Sequence, residues 1–196
     1  YASRLDSEID GVEVAAARAR LAELLAKRVK ASVDVVVGVP DTGLYYAAWV
    51  AKAIGAWHVP GFVATTRKRS ALLDEVKERI SAIQLKANVV RHSVRGRGVL
   101  VIDDSLISGL ALRQIAQLLR MRAGAREVHA ATAAPPLRRQ CPHGVKMPPE
   151  EHMIFNHLDH KTVEAALEVD SLAYLEEEEV RKAIGTSLCT HCLLRR

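Results

Sequence analysis

The stretch "VLVIDDSLISGLALRQI", Val99–Ile115, decides the fold. Four apolar residues run into two adjacent carboxylates, Asp103 and Asp104; Ser105, Ser108 and Gly109 follow, and then a run with helical spacing begins. A short apolar, β-branched run closed by turn residues reads as a buried parallel strand over Gly98–Asp103. The spacing predicts a helix over Ala111–Arg122, closed by Gly124, and a further strand over Arg126–Pro135. Strand, helix and strand at that spacing make a right-handed crossover.

The same alternation runs outward from this unit. Val12–Val29 is amphipathic, with Val14, Ala17, Leu21, Leu24 and Leu25 on one face and Ser7 or Asp10 as candidate caps. "VDVVVGVP" (Val33–Pro40) reads as a second buried strand, Asp41–Gly43 as a turn and Leu44–Ile54 as a helix. "WHVPGFVATT" (Trp57–Thr66) reads as a strand or extended segment, and Arg67–Arg91 as a polar loop with some helix around Ala71–Ile83. After Pro135-Pro136, "EEHMIFNHL" and "KTVEAALEV" predict short helices, and "LEEEEVRKAIG" a helix stopped by Gly185. The expectation is an α/β fold built on a mainly parallel sheet flanked by helices.

Composition fits one domain. The 196 residues are 49% hydrophobic but only 4% aromatic, so the core must be built from Val, Leu, Ile and Ala. No run of 18 apolar residues exists, which argues against a membrane-spanning helix, and no targeting segment is visible, so a cytoplasmic protein is expected. The chain begins at Tyr1 without Met, so a preceding segment is expected to have been removed. The net charge of +5 suits a phosphate-rich partner. Arg67-Lys68-Arg69, Arg138-Arg139 and Arg195-Arg196 are short clusters with no interleaved aromatics, which disfavours nucleic acid.

Ligands of open α/β sheets gather at the carboxyl ends of the strands, where Asp103 and Asp104 fall. Loop amides and a helix N-terminus there attract phosphate. Two carboxylates would repel it unless they accept sugar hydroxyls or support a Mg²⁺ shell. The chemistry that reconciles both is a phosphorylated sugar.

"VLVIDDSLISG" resembles the phosphoribosyl diphosphate (PRPP) motif of type I phosphoribosyltransferases. Its neighbours resemble one branch, the glutamine PRPP amidotransferases. "YASRLDSEIDG" (Tyr1–Gly11) is similar to that family's "YFARPDSxIDG", and "VVVGVPDTG" (Val35–Gly43) to a strand ending in its "VPDSG" loop. "LKANVVRHSVRGRGVLVIDDS" is similar to "MKLNPVRSVVKGKRVVLVDDS" without a gap, and "EVDSLAYL" to "GADSLAYL". The resemblance spans residues 1–196 as one phosphoribosyltransferase domain, with 136–196 as its C-terminal helical extension and the family's glutaminase domain absent.

The resemblance implies the type I phosphoribosyltransferase fold and the use of PRPP and ammonia to make phosphoribosylamine in purine synthesis. It implies that Asp41, Thr42 and Gly43 wrap the diphosphate, Asp103 and Asp104 hold ribose hydroxyls and Mg²⁺, and Ser105, Ser108 and Gly109 cradle the 5′-phosphate. Arg69, Ser70 and Arg79 match a closing loop, and Lys86 and Asn88 a second substrate-contacting element, so Arg69, Lys86 and Asn88 are the candidate catalytic residues. It also implies homo-oligomers, nucleotide feedback inhibitors, and a glutaminase domain or subunit supplying ammonia. Two departures stand out. The family loop "DDSIVRGTT" has become Asp103–Ala111 with Leu110 and Ala111 replacing two phosphate-facing Thr, and the closing loop carries Asp74 and Val76 in place of Pro and Gln. The alternative is a PRPP- or nucleotide-binding regulatory module without turnover.

Three cysteines occur: Cys141, Cys189 and Cys192. Cys-x-x-Cys at 189–192 is a metal chelate by spacing, though a weak one alone. One branch of the family holds a 4Fe–4S cluster with cysteines at these three positions and a fourth ahead of the "YFAR" motif. Zinc with His143 or His191, a disulfide and free thiols remain open alternatives.

Overall fold

The computed structural model describes residues 3–64, 87–185 and 187–193. A small hairpin, β1 (Glu8–Ile9) and β2 (Val12–Glu13), precedes α1 (Val14–Arg28). Asp10 and Gly11 take positive φ, 50° and 73°, in its turn. Asp10 therefore belongs to the hairpin and does not cap α1. Ser7 serves the helix start by its main chain, its carbonyl accepting the Val14 N–H at 2.9 Å.

β3 (Val35–Gly38), α2 (Thr42–Ile54) and β4 (Trp57–His58) make the first strand–helix–strand unit. β5 (Phe62–Ala64) and β6 (Ala87–Val89) pair antiparallel as a separate ribbon. The expected single segment over Trp57–Thr66 is thus two strands in different sheets, parted by Val59-Pro60-Gly61, where proline cannot continue a ladder. The expected helix over 71–83 lies outside the described residues. The short α3 (Arg91–Val94) leads to β7 (Gly98–Asp103), α4 (Leu110–Gln117) with a π-helical last turn at Leu118–Arg122, and β8 (Glu127–Thr132). "EEHMIFNHL" forms two 3₁₀ turns, Glu150–His152 and Ile154–Asn156, rather than one helix. Met153 between them is fully buried with extended backbone (φ −84°, ψ 113°), which breaks the helical run. α5 (His160–Leu167), β9 (Ser171–Tyr174) and α6 (Glu177–Ile184) follow, with a last 3₁₀ turn at His191–Leu193.

All five strands of the main sheet are parallel, in the order β4-β3-β7-β8-β9. Register sets Gly38 opposite Ile102, Asp103 opposite Thr132, and Thr132 opposite Tyr174. The carboxyl ends of β3, β7, β8 and β9 therefore lie along one edge.

Side-chain alternation divides the core in two. Val35, Val37, Val99, Val101, Val128 and Ala130 pack with Leu112, Ile115 and Leu119 from α4 and its π turn, and with Val163 and Leu167 from α5. Val36, Leu100, Ile102 and Ala131 pack with Leu21 and Leu25 of α1 and Tyr46, Ala47 and Val50 of α2. Burial on both faces explains why these strands read as continuous apolar runs. On edge strand β9, the Leu172 N–H donates to the Glu164 carboxylate of α5 at 2.8 Å. α6 starts with a reciprocal capping box between Glu176 and Glu179 and ends at left-handed Gly185, the stop its sequence predicts. No helix among the described residues is long and apolar enough to cross a membrane.

Candidate functional site

β7 ends on Asp103, and the chain leaving β8 grips the acids by their main chain. The Ala133 N–H donates to the Asp103 carbonyl at 3.3 Å and the Ala134 N–H to the Asp104 carbonyl at 2.8 Å. The side chains are fixed locally: the Asp104 N–H donates to Asp103 Oδ1 at 2.8 Å, and Ser105 Oγ donates to Asp104 Oδ1 at 2.9 Å. Burial first, and the adjacent Asp104 charge second, push the Asp103 carboxyl up to about 8. A pair in this condition gains from hydroxyl donors or a cation. Its hard oxygen donors fit Mg²⁺.

On one side lies the loop from β3. The Val39 N–H donates to the Ile102 carbonyl at 2.8 Å, which carries the chain across the end of β7. Pro40–Asp41 is a cis peptide. α2 begins at Thr42, two residues earlier than the spacing predicts, so Thr42 and Gly43 form its first turn and Asp41 precedes it. Asp41 is exposed and Thr42 half-buried, and neither side chain is used in capping. The first amides of α2 are thus available to an anion. Gly43 is needed for packing: a Cβ there would sit 2.3 Å from the Ile102 carbonyl oxygen. Gly38 is as constrained, since its Cβ would lie 2.5 Å from Leu44 Cα. Gly43 therefore packs closely against the end of β7.

On the other side lies the loop 105–109. Leu106 is buried in the core and pins the loop from below. Gly109 precedes α4 with φ +77°, and a Cβ there would meet Leu167 Cδ2 at 2.7 Å and Ile154 Cδ1 at 3.1 Å. Ser108 Oγ faces the Leu110 N–H at 3.5 Å. Leu110 is 43% exposed at the start of α4, so the position of one lost hydroxyl presents an apolar side chain to solvent.

The structure thus brings Asp41, Thr42, Gly43, Asp103, Asp104, Ser105, Ser108 and Gly109 to one edge of the sheet. Asn88 lies elsewhere, exposed on β6 opposite Val63. Arg69, Ser70, Arg79 and Lys86 lie outside the described residues. Cys141 and Cys192 are half-buried and Cys189 is exposed. The Cys192 carbonyl accepts the Arg138 and Arg139 N–H groups at 2.8 and 3.1 Å, seating the C-terminal Cys-x-x-Cys segment against the stretch that leads to Cys141. No three His, Cys, Asp or Glu side chains among the described residues are placed to hold a metal ion.

Sequence reasoning missed Gly38, the Ala133 and Ala134 amides, and the wall that Ile154 and Leu167 give the second loop. Only Pro135-Pro136, marking the end of the β8 segment, hinted at the amides. Nothing in the local sequence pairs residue 154 with residue 109.

Known proteins share this chain's sequence and fold. It is 33% identical over 195 residues to an amidophosphoribosyltransferase of Methanocaldococcus jannaschii and 33% identical over 198 residues to one of Bacillus subtilis, covering 98% of this chain in both cases. It spans 41% of the length of each of those relatives. Among solved structures, the allosteric regulatory enzyme of purine biosynthesis superposes with a TM-score of 0.86 at 31% identity, covering 98% of this chain and 43% of that one. The B. subtilis glutamine PRPP amidotransferase complexed with ADP and GMP gives 0.82 at 32%, with 98% and 42% covered. These matches carry the type I phosphoribosyltransferase fold. The family model for the phosphoribosyl transferase domain matches residues 11–169, which include both acids and both loops, and the chain belongs to that family.

Proposed function

We propose that this chain is the phosphoribosyltransferase part of an amidophosphoribosyltransferase, converting PRPP and ammonia to 5-phosphoribosylamine and diphosphate. The observation that carries the reading is the Asp103–Asp104 pair, set at a strand end between the N-termini of α2 and α4. That arrangement offers hydroxyl acceptors in the middle and anion donors on both sides.

The chain's residues divide the substrate between them. Asp103 and Asp104 accept the ribose hydroxyls and fix the ring. Backbone amides around Thr42 and Gly43 meet the diphosphate, and those of 105–110 meet the 5′-phosphate. The C1–O bond to diphosphate breaks with its electron pair leaving on the diphosphate. The ammonia lone pair forms the C1–N bond, and the surplus proton passes to solvent. No covalent nucleophile is required; positioning and stabilisation of the leaving charge supply the rate. Magnesium held at Asp103 and Asp104 would neutralise part of the diphosphate charge. Arg69, Lys86 and Asn88 are the proposed catalytic residues, as the resemblance to the family implies.

Ammonia would come from glutamine in the longer protein, through a glutaminase domain or subunit. Nucleotides such as those in the B. subtilis complex would act as feedback inhibitors, in a homo-oligomer. A cytoplasmic location and a 4Fe–4S cluster on Cys141, Cys189, Cys192 and a fourth ligand belong to the same proposal. The three thiols do not by themselves make a formed site here, so no chemical step is assigned to a cluster.

The test is diphosphate release from PRPP as ammonia is raised, in Mg²⁺. Ammonia-dependent release supports the reading. PRPP binding without release supports the regulatory module instead. Leu110→Thr and Ala111→Thr are expected to strengthen PRPP binding. A hydroxyl bonded to a charged phosphate contributes about 1.5–3 kcal/mol, so each restored hydroxyl should lower Kd roughly tenfold or more, as isothermal titration would record.

A further inference from the structure

The loop 105–109 is held from outside the sheet by the chain's last third. The Ile154 N–H donates to the Ile107 carbonyl at 2.8 Å. Ile154 Cδ1 and Leu167 Cδ2 stand where a side chain at Gly109 would have to go. The 3₁₀ turn Ile154–Asn156 is therefore the outer support of this loop, and what fixes the turn fixes the loop.

Arg138 fixes the turn at several points. Its guanidinium Nη1 donates to the Phe155 carbonyl. Its guanidinium carbon lies 6.0 Å from the centre of the Phe155 ring, within cation–π range. Asn156 Nδ2 donates to the Arg138 carbonyl at 2.9 Å. The Phe155 ring is itself buried and meets Tyr174 edge-on at 5.3 Å, which ties the turn to the end of β9. The back of Arg138 is occupied as well, since its N–H donates to the Cys192 carbonyl at 2.8 Å. A continuous line of bonds thus runs from the C-terminal Cys-x-x-Cys segment through Arg138 and the 154–156 turn to Ile107.

We propose that Arg138 is a positioning residue for the 5′-phosphate loop, and that the C-terminal segment docked on its back acts on the ligand site through it. The assignment of a 5′-phosphate to loop 105–109 rests on the function proposed above; the mechanical link does not. Arg138 touches no reacting atom. It sets the loop amides in the geometry that an anion requires, and a loop whose carbonyl anchor at Ile107 is lost presents those amides in many orientations. A purely structural arginine would stabilise the fold evenly and would not discriminate between the two anion loops.

Two variants of the full chain test this, Arg138→Gln and Arg138→Lys. Gln keeps part of the stem and loses the reach to the Phe155 carbonyl; Lys keeps one charged donor. The first readout is amide hydrogen exchange at Ile154 and across 104–110, with β7 as internal reference. Arg138→Gln is expected to speed exchange at those amides at least tenfold while β7 protection and the melting temperature stay close to wild type, and Arg138→Lys to recover part of it. Unchanged exchange at Ile154 and 104–110, or a uniform loss of protection that includes β7, overturns the proposal. The second readout is affinity for two probes, PRPP with Mg²⁺ and inorganic diphosphate with Mg²⁺. PRPP affinity should fall at least tenfold in Arg138→Gln, and diphosphate affinity, which depends on the loop at 39–43, should hold. An equal loss of both contradicts selective positioning. If wild type binds no PRPP but the exchange result stands, the link survives and the proposed function fails.

Discussion

Asp103→Asn is expected to weaken PRPP binding about 100-fold and at the same time to make the free protein more stable. Both effects follow from one cause. The carboxylate is held at the end of a buried strand beside a second acid, so the folded protein favours its protonated form, up to about pH 8. In the unfolded chain the group ionises near the ordinary carboxylate value. Between about pH 4 and 8 the folded state therefore binds more protons than the unfolded state, and this residue's contribution to stability falls as pH rises through that window. Asn carries no charge and no such penalty. The difference in melting temperature between variant and wild type should be near zero at pH 4 and largest above pH 8. A tenfold difference in proton affinity between folded and unfolded chain is worth about 1.4 kcal/mol. Water at the half-open site and the shared charge reduce the total, leaving about 2 kcal/mol, or roughly 5 °C for a chain of this size. Binding moves the other way. Loss of charged hydrogen bonds worth about 1.5–3 kcal/mol each should weaken PRPP by about 100-fold. Melting curves at several pH values and a titration with PRPP check the two halves. A stability difference that is flat with pH would contradict the electrostatic account.

Gly43→Ala should be, with Gly38→Ala, among the most damaging single methyl changes in the site. The new Cβ would lie 2.3 Å from the Ile102 carbonyl oxygen and 3.3 Å from Val39 Cβ. The first obstacle is main chain in the middle of the sheet and cannot rotate away. Relief requires lifting the first turn of α2 off β7, which breaks the packing of Tyr46 and Ala47 behind it. Forced overpacking of this kind costs about 3 kcal/mol, or a fall in melting temperature of about 10 °C. PRPP affinity should fall with it, because the anion-facing amides move. Gly55→Ala is the control: Gly55 has φ +74° but open space around it, so only backbone strain of about 1 kcal/mol is expected. Comparable losses at both positions would show that the contact with Ile102 is not decisive.

The main sheet is legible in the sequence because its strands are buried on both faces. Val35–Val37 and Val99–Ile102 carry no polar residue for solvent, and only a parallel, two-sided sheet asks for that. The acids are legible because two carboxylates after such a strand have no packing role. Other features are hidden for physical reasons. Gly43 offers the same freedom whether it meets a ligand or a neighbouring strand, and its contact with the Ile102 carbonyl shows in neither composition nor spacing. The start of α2 at Thr42 is obscured because Asp-Thr-Gly has the composition of a turn. The support of loop 105–109 by Ile154 joins Ile107 to a distant part of the chain through one main-chain bond, and no periodicity records such a contact. The turn that supplies it reads as helix because the buried Met153 completes an apolar spacing.

Isothermal titration of the full chain with PRPP and Mg²⁺, beside an Asp103→Asn/Asp104→Asn double variant that remains folded, tests the central claim most directly. The expected result is saturable binding in the micromolar range, one ligand per chain, lost in the double variant. Absence of binding by wild type at millimolar PRPP, or equal binding by the double variant, would contradict it.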